Sequence, residues 1–116
     1  MATLPEPITE LFRLKNAEDD EGLAQLFSDD ATVIDAGERK EMRGREEIAQ
    51  WIEKSISGLH LQTHIRDGKE RDGEWIIDTV MTGNFKASPA RFEYFISLKG
   101  DKISKLRVEF RGPEKG

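Results

Sequence analysis

The spacing of the apolar residues changes once along this chain, and that change limits the folds available to it. In the first half they recur every three or four positions, which is the period of an amphipathic helix. From Leu59 onwards they alternate with polar residues, which is typical of strands with one wet face. The alternation of Leu106, Val108 and Phe110 with charged residues is the cleanest. Helices grouped before strands predict an α+β fold rather than a parallel α/β fold.

Local signals divide the chain into three helices and five strands. Proline suits a first helical turn, acidic residues favour a helix start, and glycine suits a helix end. The Asp-Gly pairs at 67–68 and 72–73 are predicted to be hairpin turns. The predicted order is α-α-β-α-β-β-β-β, with three helices packed on a strongly curved, mostly antiparallel sheet. Helix one is predicted to begin near Pro5 and to end near Asn16, and helix two to begin at residues 18–21. The first strand is predicted at residues 31–36, and helix three between Gly44 and Gly58.

Composition excludes several classes of protein. The chain has 116 residues, so we expect a single domain over residues 1–116. It has no cysteine, which excludes disulfides and cysteine zinc sites. The formal net charge of −5 argues against nucleic acid or an anionic membrane as a partner. Because no apolar run is long enough to span a bilayer and no secretory signal is visible, we expect a cytoplasmic protein.

The sequence gives no indication of a metal or a cofactor. His60 and His64 fall on the polar side of one predicted strand, where a surface role is the simpler interpretation. Two residues four apart on a strand are roughly 13 Å apart, too far to ligate one metal ion together. No phosphate-binding glycine loop, nucleophile elbow or zinc-binding helix motif is present. We therefore expect no metal site and no cofactor.

Three stretches of the sequence resemble one family. Residues 18–35, EDDEGLAQLFSDDATVID, combine an acidic turn, a short helix, an aromatic residue and a strand that ends in aspartate. Residues 43–52, RGREEIAQWI, resemble the family's entry into helix three, and residues 100–110, GDKISKLRVEF, resemble its last hairpin. The family is the cystatin-like cone superfamily, which includes nuclear transport factor 2, ketosteroid isomerases and SnoaL-like polyketide cyclases. The chain is identified as a SnoaL-like, ketosteroid isomerase-like member.

The resemblance implies a cone-shaped α+β barrel with a pocket for a small hydrophobic molecule. This fold carries many unrelated functions, so whether the chain is an enzyme stays open. One interpretation is a cofactor-free isomerase, cyclase or dehydratase that transfers a proton on a hydrophobic carbonyl compound. A second is a ligand-binding module without catalysis. A third is a dimeric interaction protein whose cavity is filled by its own side chains.

Asp35 is the first candidate catalytic residue. It shares a strand face with Val33, so an inward-facing Val33 places the carboxylate in apolar surroundings, where it is a stronger base. In the ketosteroid isomerases that the chain resembles, the aspartate at the matching position is the general base. The stretch Asp35-Ala36-Gly37 is also typical of a strand entering a turn, where aspartate caps nearby N–H groups. Both interpretations stay open.

Tyr94 is the second candidate catalytic residue. The resemblance places it where the isomerases have an acid that donates to the developing enolate, although a buried core tyrosine is the simpler interpretation. Leu11 and Ile52 stand where the isomerases have tyrosines, which argues against true ketosteroid isomerase activity. The predicted walls of the pocket are Leu11, Trp51, Trp75, Leu106, Val108 and Phe110.

Three apolar residues are predicted to point away from the pocket. By alternation, Ile76, Val80 and Phe95 share the outer face of the sheet. A cluster of exposed apolar residues on a sheet marks a partner surface. Members of the resembled family also commonly pair sheet to sheet, so we expect a homodimer through this face.

Overall fold

The computed structural model describes residues 3–114, which form three helices and a six-stranded mixed sheet. The strand order is β2-β1-β6-β5-β4-β3. This arrangement confirms the predicted α+β class with the helices placed early in the chain. The elements are α1 (Glu6–Asn16), α2 (Asp20–Gln25), β1 (Phe27–Asp35), β2 (Lys40–Arg43), α3 (Gly44–Ser55), β3 (Gln62–Arg71), β4 (Glu74–Thr82), β5 (Ala90–Lys99) and β6 (Lys102–Pro113).

The sheet is antiparallel in every strand pair except one. β1 and β6 run parallel, with Val33 opposite Leu106 and Asp35 opposite Val108. β6 therefore lies in the middle of the sheet, between β1 and β5, although it comes last among the described elements. This pairing brings the end of β1, where Asp35 lies, beside the apolar inner face of β6.

Two local predictions were wrong. The predicted order lacks β2, a short edge strand in which only Met42 is buried, so its sequence carries no alternation that marks a strand. Asp67 and Gly68 do not form a turn but lie inside β3, next to a bulge between Ile65 and Asp67. A Cβ on Gly68 would come within 2.8 Å of the Leu4 side chain, so a larger residue there would displace that side chain. The turn at residues 72–73 is confirmed, since it joins β3 to β4.

The core lies between the helices and the inner face of the sheet. α3 packs against β1 and β2, and α1 packs against β3 and β6. Side-chain caps fix where two helices begin: Asp19 accepts from the Gly22 N–H at the start of α2, and Glu47 accepts from the Arg43 N–H at the start of α3. The packing of the helices on the inner face of the sheet leaves a cavity between them.

Candidate functional site

A cavity of about 250 Å³ lies between the helices and the inner face of the sheet. At roughly 30 Å³ per water molecule, it has the volume of about eight waters. The ligand that fits it is therefore small, on the order of ten non-hydrogen atoms. The lining is mostly apolar, and its few polar side chains belong to Lys15, Asp35, Glu38, Ser55 and Tyr94.

The structure brings most of the predicted site residues to this cavity. They come from five elements, since α1, β1, α3, β5 and β6 all present side chains to the same space. The predicted residues that line the cavity are Asp35, Tyr94, Leu11, Trp51, Leu106 and Val108.

Two predicted wall residues, Trp75 and Phe110, do not line the cavity. Trp75 lies near the beginning of β4, whereas β4 reaches the cavity through Met81 near its other end. Phe110 is 47 % exposed, because β6 passes the edge of the cavity after Val108. Its ring packs edge to face on Phe92, with 5.5 Å between the ring centroids, and Phe92 is the residue that lines the cavity.

Asp35 ends β1 as a half-buried side chain that lines the cavity. Its Oδ2 accepts a hydrogen bond from the Trp51 indole Nε1 at 3.1 Å. Its Oδ1 accepts from the Glu38 backbone N–H at 3.3 Å, in the turn that follows β1. The carboxylate therefore lines the cavity and also caps the turn that follows β1.

Tyr94 is almost completely buried, with 2 % of its surface exposed. Its ring packs edge to face on Phe12, with the ring centroids 4.9 Å apart. Burial raises the pKa of the Tyr94 hydroxyl far above its ordinary value; an interaction with the Thr63 hydroxyl acts in the opposite direction, and the Asp35 charge adds to the increase. The phenol stays neutral at physiological pH, so it can donate a hydrogen bond to a ligand.

Lys15 is the cavity residue that the sequence analysis missed. It is only 5 % exposed, and its Nζ donates to Thr63 Oγ1 at 2.8 Å and to Met81 Sδ at 3.7 Å. Burial lowers the pKa of Lys15 from 10.5 to about 7. A sequence signal was available, because Lys15 lies on the apolar stripe of α1. It comes seven residues after Ile8, four after Leu11 and three after Phe12, all of which are buried.

The residue next to Lys15 fixes the position of its hydrogen-bond acceptor. The Asn16 side chain donates from Nδ2 to the Thr63 carbonyl at 2.9 Å and accepts the Thr63 N–H on Oδ1 at 2.7 Å. Asn16 thus ties the end of α1 to the start of β3. Two consecutive residues at the end of α1 therefore bind Thr63: Lys15 binds its hydroxyl, and Asn16 binds its backbone.

The histidines lie away from this site. His60 and His64 are both exposed, as expected for a surface role, and His60 Nδ1 lies 3.0 Å from Glu18 Oε1. Within residues 3–114, no three histidine or acidic side chains are grouped so that they could hold a metal ion. No helix in the same range has the length and apolar character needed to cross a bilayer.

Solved structures share this fold. A candidate polyketide cyclase from Sinorhizobium meliloti superposes with a TM-score of 0.83 at 21% identity, over 91% of this chain and 95% of that one. A protein with a ketosteroid isomerase-like fold from Catenulispora acidiphila, in complex with trimethylamine, gives a TM-score of 0.81 at 21% identity, over 92% and 86%. A protein from Sphaerobacter thermophilus gives 0.74 at 26% identity, over 91% and 94%.

Sequence comparison gives the family. No curated protein sequence matches the chain. The family model of the SnoaL-like domain matches residues 8–106, which run from α1 into β6 and include every polar side chain that lines the cavity. The chain therefore belongs to the SnoaL-like domain family.

Proposed function

We propose that the cavity binds a small hydrophobic carbonyl compound and that Asp35 transfers a proton on it without a cofactor. The observation that carries the proposal is the Asp35 carboxylate, which lines a mostly apolar cavity and is held there by the Trp51 indole at 3.1 Å. A general base has to be fixed within hydrogen-bond reach of the proton that it removes. The hydrogen bond from Trp51 supplies that orientation.

Tyr94 complements Asp35 in this reaction. When Asp35 takes the proton from the carbon next to a carbonyl, the electrons of the C–H bond move onto the carbonyl oxygen. The neutral Tyr94 hydroxyl donates a hydrogen bond to that oxygen and stabilises the enolate. Return of the proton to a different carbon completes an isomerisation, and return to the same carbon gives exchange with solvent.

The structural relatives support a small-molecule ligand. The Catenulispora acidiphila protein binds trimethylamine, a compound of a size that suits a cavity of about 250 Å³. The Sinorhizobium meliloti protein is a candidate cyclase. Both are below 25% identical to this chain, so they support only the use of this fold for small ligands. The proposed reaction is inferred from the residues that line the cavity.

Proton exchange on a simple ketone tests the proposal. Acetophenone has about the size that the cavity accepts, and loss of its methyl proton signal in D₂O is followed by NMR. We expect the wild-type protein to accelerate this exchange, and Asp35→Asn to reduce the acceleration by about 10²- to 10⁴-fold, the usual contribution of a general base. Asp30→Asn, an exposed aspartate of the same strand, is the matched control and keeps the wild-type rate. If Asp35→Asn exchanges the methyl protons at the wild-type rate, the proposal is contradicted.

A ligand-binding module without catalysis is the second candidate. It is favoured by the fact that both Asp35 oxygens already accept hydrogen bonds from the protein. In that case acetophenone binds, as seen by changes in Trp51 fluorescence, but its protons do not exchange faster than in buffer. The third interpretation receives no support, because the cavity is not filled by the chain's own side chains.

We also propose a homodimer through the outer face of the sheet. Ile76 pairs with Phe95 across β4 and β5, and both are half-buried, whereas Val80 is only 9 % exposed. The Arg107 guanidinium lies over the Phe95 ring, 5.8 Å from its centroid. A second copy of this chain suits such a face, since it brings the same apolar residues and both signs of charge.

Light scattering tests the dimer at tens of micromolar protein. Phe95→Asp is expected to shift the wild-type dimer to monomer, because it buries a carboxylate in the interface. Phe110→Asp is the matched control, since Phe110 is exposed but lies outside this outer-face cluster. A wild-type monomer under these conditions contradicts the proposal.

A further inference from the structure

We propose that Lys15 is a nucleophile that captures the carbonyl carbon of the ligand as an imine. The inference rests on the proposed function only in taking a carbonyl compound as the ligand. It does not depend on Asp35 as a base or on the dimer. It assigns a separate chemical role to the one buried lysine among the described residues.

The first supporting observation is the position of the amine. Lys15 is buried at the end of α1 and lines the mostly apolar cavity. Within residues 3–114, no carboxylate lies within salt-bridge distance of its Nζ. A buried lysine without a counter-ion is costly to a folded protein, and such lysines recur where a neutral amine is needed for chemistry.

The second observation is the number of acceptors around the nitrogen. An ammonium has three N–H donors, whereas a neutral amine has two N–H donors and one lone pair. Among the residues that the structure describes, the Lys15 Nζ has two acceptors, Thr63 Oγ1 at 2.8 Å and Met81 Sδ at 3.7 Å. The surroundings therefore match the neutral amine and leave its lone pair for a ligand.

The third observation is that other contacts fix the two acceptors of the amine in place. Asn16 holds the Thr63 backbone through two hydrogen bonds of 2.9 and 2.7 Å, so the hydroxyl that accepts from Lys15 is fixed. Met81 reaches the same nitrogen from the neighbouring strand. The amine is thus held in one place at the cavity wall, which reduces the entropy cost of an attack on a bound carbonyl.

The protonation state of Lys15 agrees with this geometry. Burial lowers its pKa to about 7, so a substantial fraction of the amine is neutral at physiological pH. The other titratable side chains that line the cavity are Asp35, Glu38 and Tyr94, and burial is the cause of the Lys15 shift. An exposed lysine with a pKa near 10.4 is well under 1% neutral at pH 7, so Lys15 differs from it as a nucleophile.

The chemical step needs no co-reactant. The Lys15 lone pair attacks the carbonyl carbon, a C–N bond forms, and the C=O electron pair moves onto oxygen. Both amine hydrogens are then transferred to that oxygen, which leaves as water while the C=N bond forms. Hydrolysis reverses every step, so the captured ligand can be released unchanged.

Reductive trapping tests the proposal. The whole protein is mixed at pH 7 with benzaldehyde, which fits the cavity, and with sodium cyanoborohydride, which converts an imine to a stable secondary amine. Peptide mapping by mass spectrometry then locates the benzyl group. We expect the Lys15 site to be labelled at least tenfold faster than any other lysine. Labelling of the N-terminal amine or of exposed lysines, with Lys15 unmodified, overturns the proposal.

Variants sharpen the same experiment. Lys15→Met removes the fast label, whereas Lys69→Met, which changes an exposed lysine of β3, keeps it. If Lys15→Met fails to fold, the map of the wild-type protein still decides the question. Asp35→Asn separates the two proposals: it keeps the Lys15 label and loses proton exchange if both hold. If the wild-type protein exchanges protons but gives no trapped product, the imine proposal is refuted and the role of Asp35 stands. If it gives trapped product but no exchange, the role of Asp35 as a base is refuted and the imine proposal stands.

Discussion

The outer and inner faces of the sheet hold charged side chains in opposite ways. On the outer face, Arg111 pairs with Glu93 at 2.5 Å and with Glu109 at 2.9 Å, in contact with water. On the inner side, and among residues 3–114, Lys15 donates to a hydroxyl and a thioether, and Asp35 accepts from an indole and a backbone N–H. The outer charges have ionic partners, whereas the inner charges have neutral ones.

This difference supports the inner face as the place of the proposed chemistry. Solvent-exposed ion pairs contribute little to stability and are easily replaced. A charge placed in an apolar cavity without an ionic partner destabilises the fold, so its presence calls for another explanation. The proposed reaction with, or recognition of, a ligand supplies such an explanation.

The largest expected effect is a change in the pH dependence of stability in Lys15→Met. The pKa of Lys15 is about 7 in the folded protein and 10.5 without burial. Below pH 7 both states are protonated and folding carries the full desolvation cost. Above pH 7 only the unfolded chain keeps the proton, so stability rises with pH. From pH 6 to pH 9 we expect a wild-type gain of about 2 to 3 kcal/mol, absent from Lys15→Met.

Urea unfolding at pH 6 and pH 9 measures this effect. Lys69→Met is the control and is expected to keep the wild-type gain, since Lys69 is exposed. The upper limit of pH 9 avoids ionisation of Tyr94 in the unfolded chain, which would reduce stability because burial disfavours its charged form. Equal pH dependence in wild type and Lys15→Met would show that the Lys15 amine is not desolvated.

An intermediate effect is expected from Trp51→Phe. This change keeps an aromatic ring but removes the N–H that donates to Asp35 at 3.1 Å, at a cost of about 1 to 2 kcal/mol. Proton exchange on acetophenone should fall with it. Trp75→Phe is the matched control, because Trp75 makes no side-chain hydrogen bond within residues 3–114 and does not line the cavity. Equal losses in both variants would mean that the Trp51 indole does not orient Asp35.

The smallest expected effect is that of Arg111→Ala on the outer face. Its ion pairs with Glu93 and Glu109 are partly exposed, so we expect a loss below about 1 kcal/mol. The difference from wild type should shrink further in 1 M salt, because dissolved ions weaken the attraction between partly exposed charges. If Arg111→Ala loses as much stability as Trp51→Phe, the polar contacts of the outer and inner faces do not differ in strength.

Much of the fold follows from local sequence patterns. The apolar stripes of α1 and α3 and the alternation in β5 match the observed burial, since each pattern is a property of a few neighbouring residues. The alternation in β6 matches it at Leu106 but not at Phe110. The parallel pairing of β1 with β6 does not follow, because strand order depends on contacts between distant segments. Short β2 is charged and exposed at the sheet edge, which is how edge strands avoid aggregation.

The candidate site was predictable in part for the same reason. Alternation along β1 places Asp35 on the same side as the fully buried Val33, and Asp35 lines the cavity. Alternation equally predicts that Phe110 faces inward, but it carries no information on where the cavity ends. Lys15 was missed because a lysine within an apolar stripe is usually taken to reach solvent, and only the packing shows that it does not.

The central place of β6 also determines when the cavity forms during synthesis of the chain. Val33 and Leu106 are neighbours in the sheet, although more than seventy residues separate them in the chain. A ribosome that has released β1 through β5 has therefore produced a sheet with its middle strand missing and a cavity without the wall formed by Leu106 and Val108. Such long-range pairing is slow to form. The proposed ligand can bind only after β6 has taken its place, and until then β1 and β5 each present an open edge that chaperones or a second nascent chain can occupy.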